Sequence, residues 1–181
     1  MIDLIGRKRL SWEETAVRLA FDIAEYRSQD PYVQVGAVII KNDNSIVLGY
    51  NGAPRGVDID WSDRDARRDK MIHAEENALG NVRYGEVKLL AVTGMPCKFC
   101  IKTIANKGVK RVYYGYELEG YENELTKARA EEFRVELIHF PIQPPKVESC
   151  SCETDHYPFI PFKKFCPDCG KLRLDFRRNK V

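Results

Sequence analysis

The stretch 71-MIHAEENALGNVRYGEVKLLAVTGMPCKFCIKTIANKGVKRVYYG-115 decides the fold class, because its hydrophobic pattern changes period three times. Residues from about 74 to 83 read as a helix and VKLLAVTG (87–94) as a buried strand. A second helix follows from about 97 to 107, then the β-branched and aromatic strand KRVYYG (110–115). Strands alternating with helices of this length predict a sheet covered by helices, with the later strands parallel through right-handed crossovers.

Upstream, VQVGAVIIK (33–41) and SIVLGY (45–50) flank the turn residues NDN and read as an antiparallel hairpin. Before them, SWEETAVRLAFDIAEYRSQDP opens with Ser11 and Glu14 at capping-box spacing. It carries Ala16, Leu19, Ala20, Ile23 and Ala24 at helical intervals and stops before Pro31. Between hairpin and histidine, NGAPRGVDIDWSDRDARRDK reads as a loop. Downstream, YENELTKARAEEF supplies a helix and VELIHF a short last strand. The expected fold is α/β, three layers around a mixed five-stranded sheet, over residues 1–142. PIQPPKVES opens a linker from 143, and the rest to 181 is too short to fold on apolar burial alone.

Composition permits an ordinary globular protein: 181 residues, 44% hydrophobic, 31% charged, formal net charge +2. That charge is too small to announce a nucleic-acid binder. The opening MIDLIGRKRL places positive charge after a short apolar start, the reverse of a secretory signal, and no segment approaches the ~18 apolar residues of a membrane span. A cytoplasmic protein is expected. The 6 cysteines fall in close pairs, which in a reducing compartment points to metal more than to disulfides.

His73, Cys97 and Cys100 form the strongest constellation. The cysteines are three apart at the start of a predicted helix, on one face, where the helix N-terminus favours thiolates. Two thiolates and an imidazole give three ligands, leaving the fourth tetrahedral position of a catalytic zinc for water. A neighbouring carboxylate is then needed to accept a proton. Helical periodicity favours Glu76, three residues beyond His73, whereas Glu75 would point about 200° away. Glu75 qualifies only if His73 sits at the helix cap, outside the helical register; Glu76 would then make a structural or subunit contact. The competing reading is a closed structural zinc site with some fourth ligand.

His73-Ala74-Glu75 followed by Pro96-Cys97-Lys98-Phe99-Cys100 resembles the signature of zinc nucleobase deaminases. With LGYNGAPRG (48–56), the chain is similar to the cytidine deaminase superfamily and, within it, to deoxycytidylate (dCMP) deaminases over roughly residues 12–140. The resemblance implies a cytidine-deaminase-like fold and hydrolysis of dCMP to dUMP and ammonia, with Glu75 as proton shuttle. It also implies an oligomer regulated by dCTP and by dTTP with magnesium. Asn51 matches the asparagine that meets the sugar, with a plain Asn-Gly turn as the other reading. The Ala74 N–H would meet the pyrimidine edge, and Tyr116 would face base or ribose or else belong to the core. Gly52, Pro54 and Arg55 are effector-site candidates; Arg55 reads either as a phosphate donor or as a solvated loop arginine. Arg64, Arg67, Arg68 and Lys70 divide the same way. No Cys or His lies between Asn51 and His73, so no additional zinc is expected there.

The tail departs from that family pattern. Cys150, Cys152, Cys166 and Cys169 predict a second, structural zinc, with His156 as an alternative ligand. Its basic run KKFCPDCGKLRLDFRRNK could touch nucleic acid, but docking on a neighbouring subunit is the favoured use. Two other functions stay open at this point: a deaminase of tRNA or single-stranded polynucleotide, and a non-catalytic zinc nucleic-acid-binding module.

Overall fold

The computed structural model describes residues 9–117 and 122–142. Its elements run α1 (Trp12–Arg27), β1 (Gly36–Lys41), β2 (Ile46–Tyr50), α2 (Arg64–Lys70), α3 (Ala74–Leu79), β3 (Val87–Gly94), α4 (Lys98–Asn106), β4 (Arg111–Tyr116), α5 (Asn123–Glu132) and β5 (Glu136–His139). The sheet is ordered β2-β1-β3-β4-β5. β1 is antiparallel to both β2 and β3, and β3, β4 and β5 are mutually parallel, giving the mixed five-stranded sheet the sequence predicts.

Alternation along the strands splits the core in two. Val38, Ala91 and Tyr113 face Ala16, Val17 and Ala20 of α1. Ile39, Val92 and Val112 face Ala78 of α3, Ile101 of α4 and Ala130 of α5. One helix thus covers one face and three cover the other. Two glycines let helices down onto strands. A Cβ at Gly36 would stand 2.1 Å from the Ala20 carbonyl oxygen of α1, and one at Gly49 would stand 2.3 Å from that of Ala74 in α3.

Local rules account for most boundaries, with three corrections. Ser11 caps α1 by accepting from the Glu14 N–H at 3.1 Å, but Glu14 turns its carboxylate to Arg18 at 2.9 Å, so only half of the predicted capping box forms. The segment read as one loop contains α2, nucleated by Asp63, whose carboxylate accepts from the N–H groups of Asp65 and Ala66. α3 ends at Leu79, short of the expected 83, because Gly80 closes it. The first compact unit ends at Ile142, which packs with Phe140 against the α1-side core. The predicted linker and the second zinc site at Cys150, Cys152, Cys166 and Cys169 lie outside the described residues. Among the described residues, no helix is long and apolar enough to cross a membrane.

Candidate metal centre and active site

His73 is the N-cap of α3, with φ −73° and ψ 152°, so it is extended and outside the helical register. An isolated bridge between Gly52 and Ile72 holds the preceding residue extended. Cys97 caps α4 in the same extended way, and Cys100 lies in its first turn. Pro96 therefore stands one residue ahead of the cap, not at the first helical position. Its ring restricts Met95 to extended geometry, and the Met95 N–H donates to the Tyr116 carbonyl at 2.8 Å. Two helix N-termini, delivered by neighbouring segments, thus face one another.

The three side chains converge. His73 Nδ1 lies 3.3 Å from Cys100 Sγ and 3.6 Å from Cys97 Sγ, and all three ligand atoms lie within 4.8 Å of one another. Zn–S and Zn–N bonds of about 2.3 and 2.05 Å at a tetrahedral angle put sulfur and nitrogen roughly 3.6 Å apart, so the set fits zinc. Among the described residues this group offers three ligand atoms, and Glu75 is not one of them.

The electrostatics follow from crowding. The Cys97 thiol is pulled down to about 4, chiefly by the hydrogen bond from Cys100 and also by His73. Cys100 is pushed upward by that same bond to Cys97 and by burial. His73 is raised to about 9, first by its hydrogen bond with Cys97. Glu75, 4% exposed, is raised to about 7 by burial, against the opposing pull of His73. Glu76 is exposed, and its carboxylate accepts from the His73 backbone N–H at 3.4 Å, at the long end of a hydrogen bond.

A profile of the cytidine and deoxycytidylate deaminase zinc-binding region matches residues 10–116, more than half of the chain. The chain belongs to the cytidine and deoxycytidylate deaminase family. It is 32% identical to deoxycytidylate deaminase of Homo sapiens over 178 residues, covering 92% of this chain and 86% of that protein. The deoxycytidylate deaminase of Mus musculus is also 32% identical, over 97% of this chain and 93% of its own length. The solved dCMP deaminase of cyanophage S-TIM5, in complex with dCMP and dUMP, shares 27% identity at a TM-score of 0.59. That match spans 74% of this chain and the whole of the phage one. His73, Cys97 and Cys100 are the catalytic zinc ligands of this deaminase family member.

The remaining candidates separate into groups. Asn51 of the deaminase is 1% exposed, and its amide is a clamp. Oδ1 accepts from Ser28 Oγ at 2.6 Å and Val35 N at 2.8 Å, while Nδ2 donates to the Val33 carbonyl at 2.7 Å and to Met71 Sδ at 3.2 Å. Ala74, the first residue of α3, is buried, and helix geometry leaves its N–H without an intrahelical acceptor. Tyr116 lays its ring along Gly94, 3.3 Å from where a Cβ would stand, and beside Phe21 at 5.9 Å between centroids. Pro54 and Arg55 line a cavity of about 440 Å³ with Gln29 and Trp61. Gly52 is not among its lining residues: it forms the bridge to Ile72, and Gln29 Oε1 would lie 2.7 Å from a Cβ there. Sequence reasoning missed Gln29, Asp30 and Met71. Gln29 and Met71 carried no signal, whereas Asp30 stands in Asp-Pro, a turn-forming pair.

Proposed function

We propose that this deaminase converts dCMP to dUMP and ammonia, supplying dUMP for thymidylate synthesis. One observation carries the reading: a buried carboxyl, Glu75, stands beside a His-Cys-Cys ligand set in a chain similar throughout to deoxycytidylate deaminases. Zinc supplies, when bound, the Lewis acidity that makes water nucleophilic near neutral pH. Glu75, with its carboxyl held near 7, accepts the proton of the attacking water and passes it to cytosine N3. It then takes up the remaining proton, from the hydroxyl added at C4, and delivers it to the amine as the C4–N4 bond breaks, leaving the C4 carbonyl and ammonia. The Ala74 N–H meets the pyrimidine edge. Asn51 turns toward the sugar the Nδ2 hydrogen that otherwise faces sulfur, a weak acceptor. Tyr116 flanks the base or ribose.

The cavity at Pro54 and Arg55 is proposed as the effector site, for dCTP or for dTTP with magnesium, in a homo-oligomer. Arg55 serves there as a phosphate donor. Incubation with dCMP, dCTP, deoxycytidine, CMP and a short oligonucleotide, with products separated by chromatography, tests the substrate. Turnover of dCMP is expected, and turnover confined to the oligonucleotide would overturn the reading. Loss of dCTP activation in Arg55→Ala, with basal activity retained, is the expected effector result.

A further inference from the structure

None of the residues of α2 is buried, yet this helix immediately precedes the segment that carries His73. A helix of seven residues without an apolar face needs another anchor. Arg67 provides it. Its Nη1 donates to Asp30 Oδ1 at 3.1 Å and Oδ2 at 3.4 Å, and its guanidinium stacks 4.3 Å above the Tyr32 ring. The Asp30 side chain is 3% exposed and that of Arg67 15%, so both charges are largely out of water. Asp30 is fixed in turn by the N–H groups of Tyr32 at 2.8 Å and Val33 at 3.2 Å. Arg67 Nε is buried without an acceptor, which means that stacking and the Nη1 contacts to both Asp30 oxygens set the orientation of the side chain.

From Arg67 a short strap leads to the ligands. The Met71 N–H donates to the Arg67 carbonyl at 3.1 Å, and Met71 Sδ receives the Asn51 amide. Ile72 and Gly52 exchange backbone hydrogen bonds of 2.9 and 3.1 Å, and His73 follows. We propose that Arg67 is a positioning residue for the metal site: its ion pair with Asp30 fixes the strap from 67 to 73 that presents His73 to Cys97 and Cys100. The inference rests on the zinc assignment and is independent of which nucleotide is deaminated.

The full-length protein is titrated with zinc against a competing chelator, and the cobalt-substituted protein is followed by its visible absorption. Groups bonded directly to metal ligands typically change metal affinity 10- to 100-fold; Arg67 acts one step further out, through the strap, so Arg67→Ala is expected to weaken zinc by the lower end of that range, about tenfold, and to shift the cobalt bands. Arg67→Lys, which keeps the charge without the planar stack, should fall between, and Tyr32→Ala should move the same way by less. Asp69→Ala, an exposed position on the same helix, should match the parent. If Arg67→Ala does not fold, Arg67→Lys and Tyr32→Ala decide. Zinc affinity within about twofold of the parent and unchanged cobalt bands in the Arg67 variants would reduce the pair to a structural contact. Equal losses in Asp69→Ala would do the same. A parent protein that bound no zinc would instead remove the metal assignment, a separate failure.

Discussion

Glu75 and Glu76 are adjacent in the chain and chemically opposed: one carboxyl is 4% exposed with a raised pKa, the other is exposed and closes back on the His73 N–H. Counting helical intervals from His73 selects the second, but the extended backbone of His73 means that helical counting does not start there. For turnover, Glu75→Gln is expected to lower kcat by about 10²-fold to 10⁴-fold or more while zinc content is unchanged, since the carboxyl is not a ligand. Metal analysis beside the assay checks both halves, and an active variant would pass the proton role to another group. The same residue sets a pH dependence in the zinc-stripped protein. Unfolded, Glu75 titrates near 4.5, and folded near 7, so between those values the folded state holds a proton the unfolded chain has released. Its contribution to stability therefore declines as pH rises from about 4.5 through about 7, by up to ~3 kcal/mol. Glu75→Gln removes that decline, and because His73 and Cys100 feel the Glu75 charge, the difference between the two curves reports the coupled set, with the buried carboxyl as its main part. Urea unfolding of both proteins from pH 4.5 to 8 measures it; parallel curves would refute a desolvated carboxyl.

Among elements, the short α3 matters most, because it is seated directly on β2. Gly49→Ala would drive a methyl to 2.3 Å from the Ala74 carbonyl oxygen and 2.7 Å from the Ala78 nitrogen, both backbone atoms that cannot step aside singly. The expected cost is about 3 kcal/mol, the upper part of the range for overpacking, read as a lowered urea midpoint. Zinc binding should weaken with it, since α3 and its cap move together. An unchanged midpoint would mean that helix and strand are less tightly seated. The strands and the long α1 were legible because their apolar period and the Ser11 and Pro31 boundaries agree, whereas the stop of α3 at Gly80 was missed. α2 was not legible, because RDARRDK has no apolar stripe to register a period. An Asp63 cap and a distant charge partner, Asp30, make it a helix in place; the cap is a local signal but marks no helix without an apolar period behind it, and the ion pair leaves no local signature. The ligands were legible through the joint His-Ala-Glu and Pro-Cys-x-x-Cys motif, which resembles a known signature, whereas Asn51's clamp depends on four partners from three separate segments.

For the whole molecule, both halves of the core among the described residues lie within the compact unit that ends at Ile142, and the matched family region stops at 116. A chain truncated after Ile142 is expected to fold, to hold one zinc through His73, Cys97 and Cys100, and to melt within a few degrees of the full protein. Circular dichroism with metal analysis tests this, and an insoluble or metal-free fragment would extend the catalytic unit beyond 142. Comparing zinc per chain before and after truncation also decides whether the four tail cysteines hold a second ion.

His73 and Cys97 are 24 residues apart, and all of β3 lies between them. Zinc held by both closes that stretch into a ring, much as a covalent cross-link would, and the closure becomes favourable only once β3 has been threaded beside β1. In the unfolded chain the two cysteines offer the metal a bidentate foothold without the imidazole. Full coordination is consequently a late event in folding, and refolding with zinc present should reach native secondary structure before the thiols become protected from alkylation.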